Sequence, residues 1–187
     1  IDIPKIINLT DDIINLFSKK KILIAGGGGF LGNYFMKYFD KISQHINLSV
    51  TFIDNFASSN KFVPNFENEK IDFIKNDICN FDFSNLGMDF DLIVHAAGIA
   101  SPYYYRKKPI ETLDVSYSGS KNLLELSRVC KAKYIFFSSS EVYGDPFPEF
   151  VPTKESYRGN VSTMGPRSCY DEGKRIGETM AYVYSNY

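Results

Sequence analysis

Short apolar runs alternate with amphipathic stretches along most of the chain. The runs are rich in Ile, Val, Leu and Phe, and they predict buried strands at 21–26, 48–55, 70–77, 90–98 and 133–140. Apolar positions at helical spacing predict helices at 9–20, 30–39, 110–130 and 168–187. Strands that are apolar throughout and alternate with helices are typical of a parallel sheet covered on both faces. The predicted fold is therefore a doubly wound α/β domain.

The same pattern predicts where this domain begins and ends. Residues 1–20 are expected to form a helical extension with Thr10 as an N-cap, and residues 21–187 a Rossmann-type, dinucleotide-binding domain. The last predicted helix reaches the chain end, where a sixth strand is expected, and the first residue is not Met. We therefore expect an N-terminal portion of a longer protein, with the C-terminal substrate domain absent from this chain.

A glycine-rich loop, GGGGFLG, follows the first predicted strand directly. Gly26, Gly29 and Gly32 have the spacing GxxGxxG, and a predicted helix begins within the loop at Phe30 and Leu31. Glycines at a strand-to-helix junction let backbone N–H groups approach a pyrophosphate at the helix N-terminus. The alternative interpretation is a flexible turn without a ligand.

An acidic residue ends the second predicted strand. Asp54, followed by Asn55, stands 22 positions after Gly32, where an acid hydrogen-bonds the adenosine ribose in dinucleotide-binding folds. A carboxylate would repel a 2′-phosphate, and no Arg stands beside it. The position therefore favours NAD over NADP, and the alternative is a surface Asp.

Small and polar residues close the next two predicted strands. Asp77 and Ile78 follow the third strand, where they could meet the adenine or form a plain turn. Ala96, Ala97 and Gly98 close the fourth strand, where a cofactor would pass. Close packing of a helix on the sheet would also require small residues there, and the two interpretations are compatible.

A Tyr–Lys pair lies on the last predicted helix. Tyr170 and Lys174 are four residues apart and so share a helix face, while Ser139, Ser140 and Glu141 follow the fifth strand. Ligands of open parallel sheets bind beyond the carboxyl ends of the strands. A Tyr with an ordinary pKa of about 10 is a weak base, and a nearby ammonium favours its phenolate. These groups predict oxidation of an alcohol by base-assisted hydride transfer.

Other Tyr–Lys pairs share this spacing, namely Tyr103/Lys107, Tyr104/Lys108 and Tyr117/Lys121. The first two are expected in a loop before Pro109. The third lies on an earlier helix that no hydroxyl-rich strand end precedes. The surrounding sequence therefore favours Tyr170 and Lys174.

Composition and charge exclude some classes of function and indicate a cellular location. A net charge of −1 and a pI of about 6.2 give no global attraction to nucleic acid or an anionic membrane. The three Cys show no metal-ligand or disulfide spacing, so we expect no metal and a reducing, cytoplasmic location. His95 is expected to be a packed strand-end residue rather than a base.

Four motifs stand in the order found in one enzyme family: GGGGFLG, FIDNF, SSSEVYGDP and GPRSCYDEGKR. From about residue 21 to 187 the chain resembles the extended short-chain dehydrogenase/reductase family, which includes nucleotide-sugar epimerases, dehydratases and decarboxylases. The last two motifs look most like those of the UDP-glucuronate decarboxylases.

This resemblance implies an activity and a set of roles. Ser139, Ser140 and Glu141 would touch the sugar, Tyr170 would be the base, and Lys174 would bind the nicotinamide ribose. Tyr170 would accept the 4-hydroxyl proton while the C4 hydride passes to NAD, the 4-keto acid would lose CO₂, and the hydride would return. The resemblance also implies a UDP-sugar substrate and a homodimer formed through helices 110–130 and 168–187.

Some features depart from the family pattern and leave alternatives open. Ser116 replaces a frequent Asn, the segment SPYYYRKKP is unusually aromatic and basic, and the Arg expected for the substrate carboxylate is missing with the C-terminal domain. A 4,6-dehydratase or a 4-epimerase of the same family stays possible. So does a non-catalytic NAD-binding module.

Overall fold

A single five-stranded parallel sheet forms the centre of the computed structural model, which describes residues 2–58, 65–66 and 68–187. The strands are β1 (Lys20–Ala25), β2 (Leu48–Asp54), β3 (Ile71–Lys75), β4 (Leu92–His95) and β5 (Lys133–Phe136). Their order in the sheet is β3-β2-β1-β4-β5, and every neighbouring pair is parallel. This order confirms the doubly wound fold, with the direction of winding reversing between β1 and β4.

Six α-helices accompany the sheet in the described part of the chain. They are α1 (Ile3–Leu9), α2 (Phe30–Ile42), α3 (Pro102–Lys107), α4 (Pro109–Asp114), α5 (Ser120–Cys130) and α6 (Ser168–Asn186). None of them combines the length and apolar character that crossing a bilayer requires.

Each face of the sheet has its own core because side chains alternate along a strand. Ile22 and Ile24 of β1 belong to a cluster with Met36 of α2, and Leu23 belongs to the opposite cluster with Leu123 of α5. All five side chains are almost fully buried. Both faces of β1 therefore need apolar residues, which explains its continuous apolar run.

The structure corrects the prediction for the N-terminal helix. Helix α1 ends at Leu9, and Thr10 caps its C-terminus instead of starting a helix at 9–20. The Thr10 hydroxyl donates to the carbonyl of Ile6 at 2.9 Å. Ile3 is buried in the same cluster as α2, so packing on the domain decides the position of α1.

One helix predicted at 110–130 contains a change of hydrogen-bonding pattern. Helices α4 and α5 are joined by a π-helical turn at Val115–Gly119. The Val115 carbonyl and the Nε2 atom of His95 lie 3.1 Å apart, so the turn is tied to the end of β4. A Cβ on Gly119 would lie 2.7 Å from Ile78 Cδ1, so the turn also packs closely on the segment after β3.

His95 is fully buried, which confirms that it is a packed strand-end residue. Burial lowers its pKa to about 3, and the charge of Lys174 adds to the effect. Below the ordinary value of 6.5 the unfolded chain therefore binds a proton that the folded chain does not.

We expect acid to destabilise the protein through His95. The free energy of unfolding should fall as the pH drops below 6.5, by about 2 kcal/mol at pH ~5 from this residue. In a His95→Gln variant, whose amide can still donate to Val115, this part of the pH dependence should vanish. Urea unfolding of both proteins followed by circular dichroism measures the difference, and parallel pH profiles would contradict the assignment.

Candidate active site

The turn after β1 touches the end of β4 without any intervening side chain. Gly26 has φ +95°, and a Cβ there would lie 2.6 Å from the Ala96 carbonyl. A Cβ on Gly32 would lie 2.2 Å from the Gly26 oxygen, so α2 packs directly on the turn. Two of the predicted glycines are therefore required by the backbone geometry itself.

Helix α2 points its N-terminus at this crossing. Gly29 is its N-cap and provides no side-chain hydrogen bond. Phe30 and Leu31 begin the helix, where backbone N–H groups have no intrahelical partner. Their side chains are exposed, and the free N–H groups with the positive end of the helix dipole could hold a pyrophosphate.

Asp54 organises the turn beside the glycines. Its Oδ2 accepts the Gly28 N–H at 2.9 Å and its Oδ1 accepts the Phe56 N–H at 2.6 Å. Burial raises the pKa of its carboxyl above the ordinary 3.8, against the effect of these two hydrogen bonds. A carboxylate has about four acceptor positions, so Asp54 could still accept hydrogen bonds from a ribose.

Asn55 and Asp77 form a second polar group beyond β2 and β3. The Asn55 amide donates to Asp77 Oδ2 at 2.7 Å, and the Cys79 N–H donates to Asp77 Oδ1 at 2.9 Å. Burial would raise the pKa of Asp77, but these hydrogen bonds outweigh it and hold the pKa below 3.8. Asp77 is therefore an ionised acceptor fixed at the edge of the sheet.

A groove with a volume of about 260 Å³ runs between these groups. Nine of the residues predicted to bind the cofactor line it: Gly26, Gly29, Asp54, Asn55, Asp77, Ile78, Ala96, Ala97 and Gly98. Backbone N–H groups, glycines with no room for a Cβ and an acidic floor fit a dinucleotide. Asn76 and Cys79, which flank Asp77 and Ile78, also line the groove and were not predicted. Glu111 and Asp114 line it as well and were not predicted because only the fold brings them there.

Lys174 is buried behind the far end of the groove. Its Nζ donates to the Phe137 carbonyl just beyond β5 at 2.7 Å, and it lies 3.5 Å from where a Cβ on Gly98 would be. Burial lowers the pKa of Lys174 to about 8. The ammonium is therefore held between the ends of β4 and β5 and is mostly charged at neutral pH.

Tyr170 lies one turn before Lys174 on the same face of α6. The Lys174 Nζ is 5.8 Å from the centre of the Tyr170 ring. The Tyr170 ring also stacks on that of Tyr105, with ring centroids 5.6 Å apart and planes 15° from parallel. Tyr105 is buried, although the aromatic and basic segment around it was predicted to be a loop and forms helix α3 instead.

The Ser-Glu segment follows β5 as predicted, but in a 3₁₀ turn at Ser140–Tyr143. Ser139 caps this turn by accepting the Glu141 N–H at 3.3 Å, and Ser140 is exposed. Glu141 forms an ion pair with Arg167, a residue to which the sequence analysis gave no role.

The competing Tyr–Lys pairs do not share these surroundings. Tyr103 and Lys107 hydrogen-bond each other at 2.6 Å on the exposed side of α3. Lys108 donates to the Ala57 carbonyl, and Tyr117 is exposed on the π turn. Within the described residues, no three metal-ligating side chains converge.

Ser116 lies where α6 crosses the π turn. A Cβ on Gly173 would lie 3.0 Å from the Ser116 hydroxyl oxygen. Because Gly173 directly precedes Lys174, the small Ser116 side chain permits close packing beside the Tyr–Lys face.

We expect alkaline pH to stabilise the cofactor-free protein relative to a Lys174→Met variant. Below pH 8 the ammonium is charged in both the folded and the unfolded state, so the full cost of burying it is present. Between 8 and the ordinary 10.5 only the unfolded state keeps the proton, so this cost fades as the pH rises. The complete change is on the order of 3 kcal/mol. Urea unfolding of both proteins across this range measures it, and equal slopes would rule out a depressed pKa.

Curated relatives match most of this chain but extend well beyond it. UDP-glucuronic acid decarboxylase 1 of Danio rerio is 41% identical over 170 residues, covering 89% of this chain and 38% of its own length. UDP-glucuronic acid decarboxylase 6 of Arabidopsis thaliana is 36% identical over 171 residues, covering 89% of this chain and 47% of its own length. The chain therefore spans less than half the length of these relatives.

Solved structures of related enzymes share the fold of this chain. A UDP-N-acetylglucosamine 4-epimerase from Methanobrevibacter ruminantium superposes with a TM-score of 0.72 at 28% identity, covering 91% of this chain and 52% of that one. The model of the NAD dependent epimerase/dehydratase family matches residues 22–186. Together with the NAD-type groove, this match shows that the chain belongs to the NAD dependent epimerase/dehydratase family.

Proposed function

We propose that the full-length protein is a UDP-glucuronate decarboxylase that works through transient oxidation at C4 of the sugar. The observation that carries the proposal is the pairing of Tyr170 with a buried, charged Lys174 at the ends of β4 and β5. The decarboxylase relatives, at 34–41% identity, and the CYDEGKR motif around this pair support the choice of reaction.

The groove residues would hold NAD in this proposal. The turn Gly26–Gly29, together with the first turn of α2 from Phe30 to Gly32, would hold the pyrophosphate. Asp54 would accept hydrogen bonds from the adenosine ribose hydroxyls. The Asn55–Asp77 pair and Ile78 would border the adenine. Ala96, Ala97 and Gly98 would leave room for the nicotinamide half. When bound, NAD supplies the acceptor and later the donor of the C4 hydride.

Tyr170 would act as the base on the sugar 4-hydroxyl. The Lys174 ammonium favours the phenolate form of a nearby tyrosine electrostatically, and Tyr170 would take the hydroxyl proton as C4 becomes a ketone. The C5 carboxylate then lies beta to that ketone, so the bond from C5 to the carboxylate can break and leave its electron pair in an enolate. A proton from solvent water would then add to C5 and restore the C4 ketone. Tyr170 would return its proton to the oxygen on C4 when this ketone is reduced by the returning hydride.

The segment after β5 would contact the sugar. Ser139 and Ser140 offer hydroxyl groups that could share the 4-hydroxyl proton with Tyr170. Glu141 would face the same substrate from the adjoining 3₁₀ turn. These roles rest on the motif and on the position of the turn beside α6.

A homodimer formed through α4, α5 and α6 is part of the proposal. Exposed apolar side chains on these helices and the π turn between them support it: Ile110, Leu113, Tyr117, Ile176, Tyr182 and Val183. The same surface could instead pack against the remainder of the protein. Light scattering of the full-length protein should give twice the monomer mass, and a monomer would contradict the dimer.

A cytoplasmic location stays a prediction. Cys79, Cys130 and Cys169 are free thiols, a state that a reducing compartment maintains.

The reaction can be tested with UDP-glucuronate and the full-length protein. We expect NMR to show a UDP-pentose and release of CO₂, with no net consumption of NAD. A 4-epimer of the substrate or a 4-keto-6-deoxy product from another sugar nucleotide would instead support an epimerase or a dehydratase. Bound NAD without turnover of any sugar nucleotide would indicate a binding module.

Two variants separate the chemistry from folding. Tyr170→Phe removes only the hydroxyl group and keeps the ring stacked on Tyr105, so we expect kcat to fall at least ~100-fold with NAD still bound. Tyr117→Phe is the matched control because Tyr117 is exposed away from the groove, and its kcat should stay near that of the parent. Equal activities of the two variants would remove Tyr170 from the mechanism.

A further inference from the structure

Arg167 occupies a position that disfavours a cation. It is the N-cap of α6 and makes no side-chain capping hydrogen bond. N-cap positions favour Ser, Thr, Asp or Asn, and the positive end of the helix dipole repels an Arg. A role for the guanidinium must therefore come from its partners.

Those partners are two carboxylates on different elements. The Nη2 atom of Arg167 forms an ion pair with Oε2 of Glu141 in the turn after β5. Its Nε atom lies 3.4 Å from Oδ2 of Asp171 in the first turn of α6. Because different nitrogens face the two acids, one guanidinium can hold both at once.

The two acids differ in burial, so they have different roles in holding Arg167. The Asp171 side chain is 11% exposed, whereas that of Glu141 is 35% exposed. The Oδ1 atom of Asp171 is buried with no hydrogen-bond partner in the described structure, so Arg167 is its main compensation. The buried Asp171 therefore anchors Arg167, and Arg167 in turn holds the more exposed Glu141.

The anchor is next to the proposed base. Asp171 follows Tyr170 directly, and the backbone N–H groups of both residues donate to the Arg167 carbonyl at 2.9 and 3.1 Å. Glu141, Arg167 and Asp171 also line one open cavity of about 420 Å³, which shares no lining residue with the dinucleotide groove.

We propose that Arg167 is a positioning residue that fixes the Glu141 carboxylate relative to Tyr170, with Asp171 as its buried anchor. This inference rests on the proposed function, because it assigns Glu141 to the sugar. Arg167 does not itself touch the reacting atoms. It aligns the segment after β5 with the catalytic helix.

A double-mutant cycle in the full-length protein tests the proposal. Arg167→Met and Glu141→Gln should each lower kcat for UDP-glucuronate about tenfold, with KM and bound NAD little changed. The combined variant should be no worse than either single variant. Arg167→Lys should recover only part of the loss, because an ammonium lacks the two-sided geometry of a guanidinium.

The Lys20–Asp91 ion pair provides a matched control. Its side chains are 46% and 35% exposed, against 49% and 35% for Arg167 and Glu141. It lies at the start of β1, so it is at the opposite end of the strands from the site. Lys20→Met should therefore keep kcat within about twofold of the parent.

Loss of Arg167 leaves the buried Asp171 unpaired, so one further variant guards against failure to fold. Arg167→Met combined with Asp171→Asn removes both charges and should fold while keeping the low kcat. Parent-like kcat in either Arg167→Met protein, or losses that add up in the combined Arg167→Met and Glu141→Gln variant, would overturn the proposal.

Unfolding measurements separate this inference from the proposed reaction. An inactive parent would refute UDP-glucuronate as the substrate. The same cycle measured by urea unfolding would then still report the contact between Arg167 and Glu141. Non-additive unfolding free energies of the variants would support the contact between Arg167 and Glu141 on which the proposal depends, and additive ones would overturn it.

Discussion

The architecture depends on a backbone contact between the turn after β1 and the end of β4. At Gly26 the two backbone segments approach so closely that a single methyl group would collide with the Ala96 carbonyl. Gly32 repeats the constraint between α2 and the turn. This contact places the N-terminus of α2 over the point where the sheet reverses its winding, and the dinucleotide groove is the space left beside it. The helices on the β5 side then complete the site around Lys174.

Charge burial is the second organising constraint. Lys174 and His95 lie near each other at the ends of the central strands, and burial disfavours the charged form of both. Lys174 stays mostly protonated at neutral pH, whereas His95 is neutral. Among the described residues, Lys174 is therefore the buried cation next to Tyr170, and burial strengthens its electrostatic effect on that residue.

The sequence predicted the parts of this structure that depend on local pattern. The positions of the strands follow from apolar runs, although β5 was predicted to be buried and has no buried residue. Asp54 and the Tyr170/Lys174 pair follow from spacing along β2 and α6. Thr10 was misplaced because its hydroxyl can cap either end of a helix, and the packing of Ile3 against α2 decides which. The roles of Tyr105 and Arg167 were missed because Tyr105 stacks on the distant Tyr170 and Arg167 pairs with the distant Glu141 as well as with Asp171. The roles of the groove and sugar-side residues stay predictions.

The π turn at Val115–Gly119 fixes how α4 and α5 are rotated relative to each other, so it limits insertions and deletions between them. One residue is about 100° of rotation in an α-helix, so the wider turn offsets the face that α4 presents from the face that α5 presents. Helix α5 meets the sheet through Leu123, whereas Thr112 of α4 lies beside Gly173 of α6. A deletion of one residue here would restore ordinary helical geometry but turn one of these faces away from its partner. Chain length at this point is therefore under a stricter constraint than the identity of its exposed side chains.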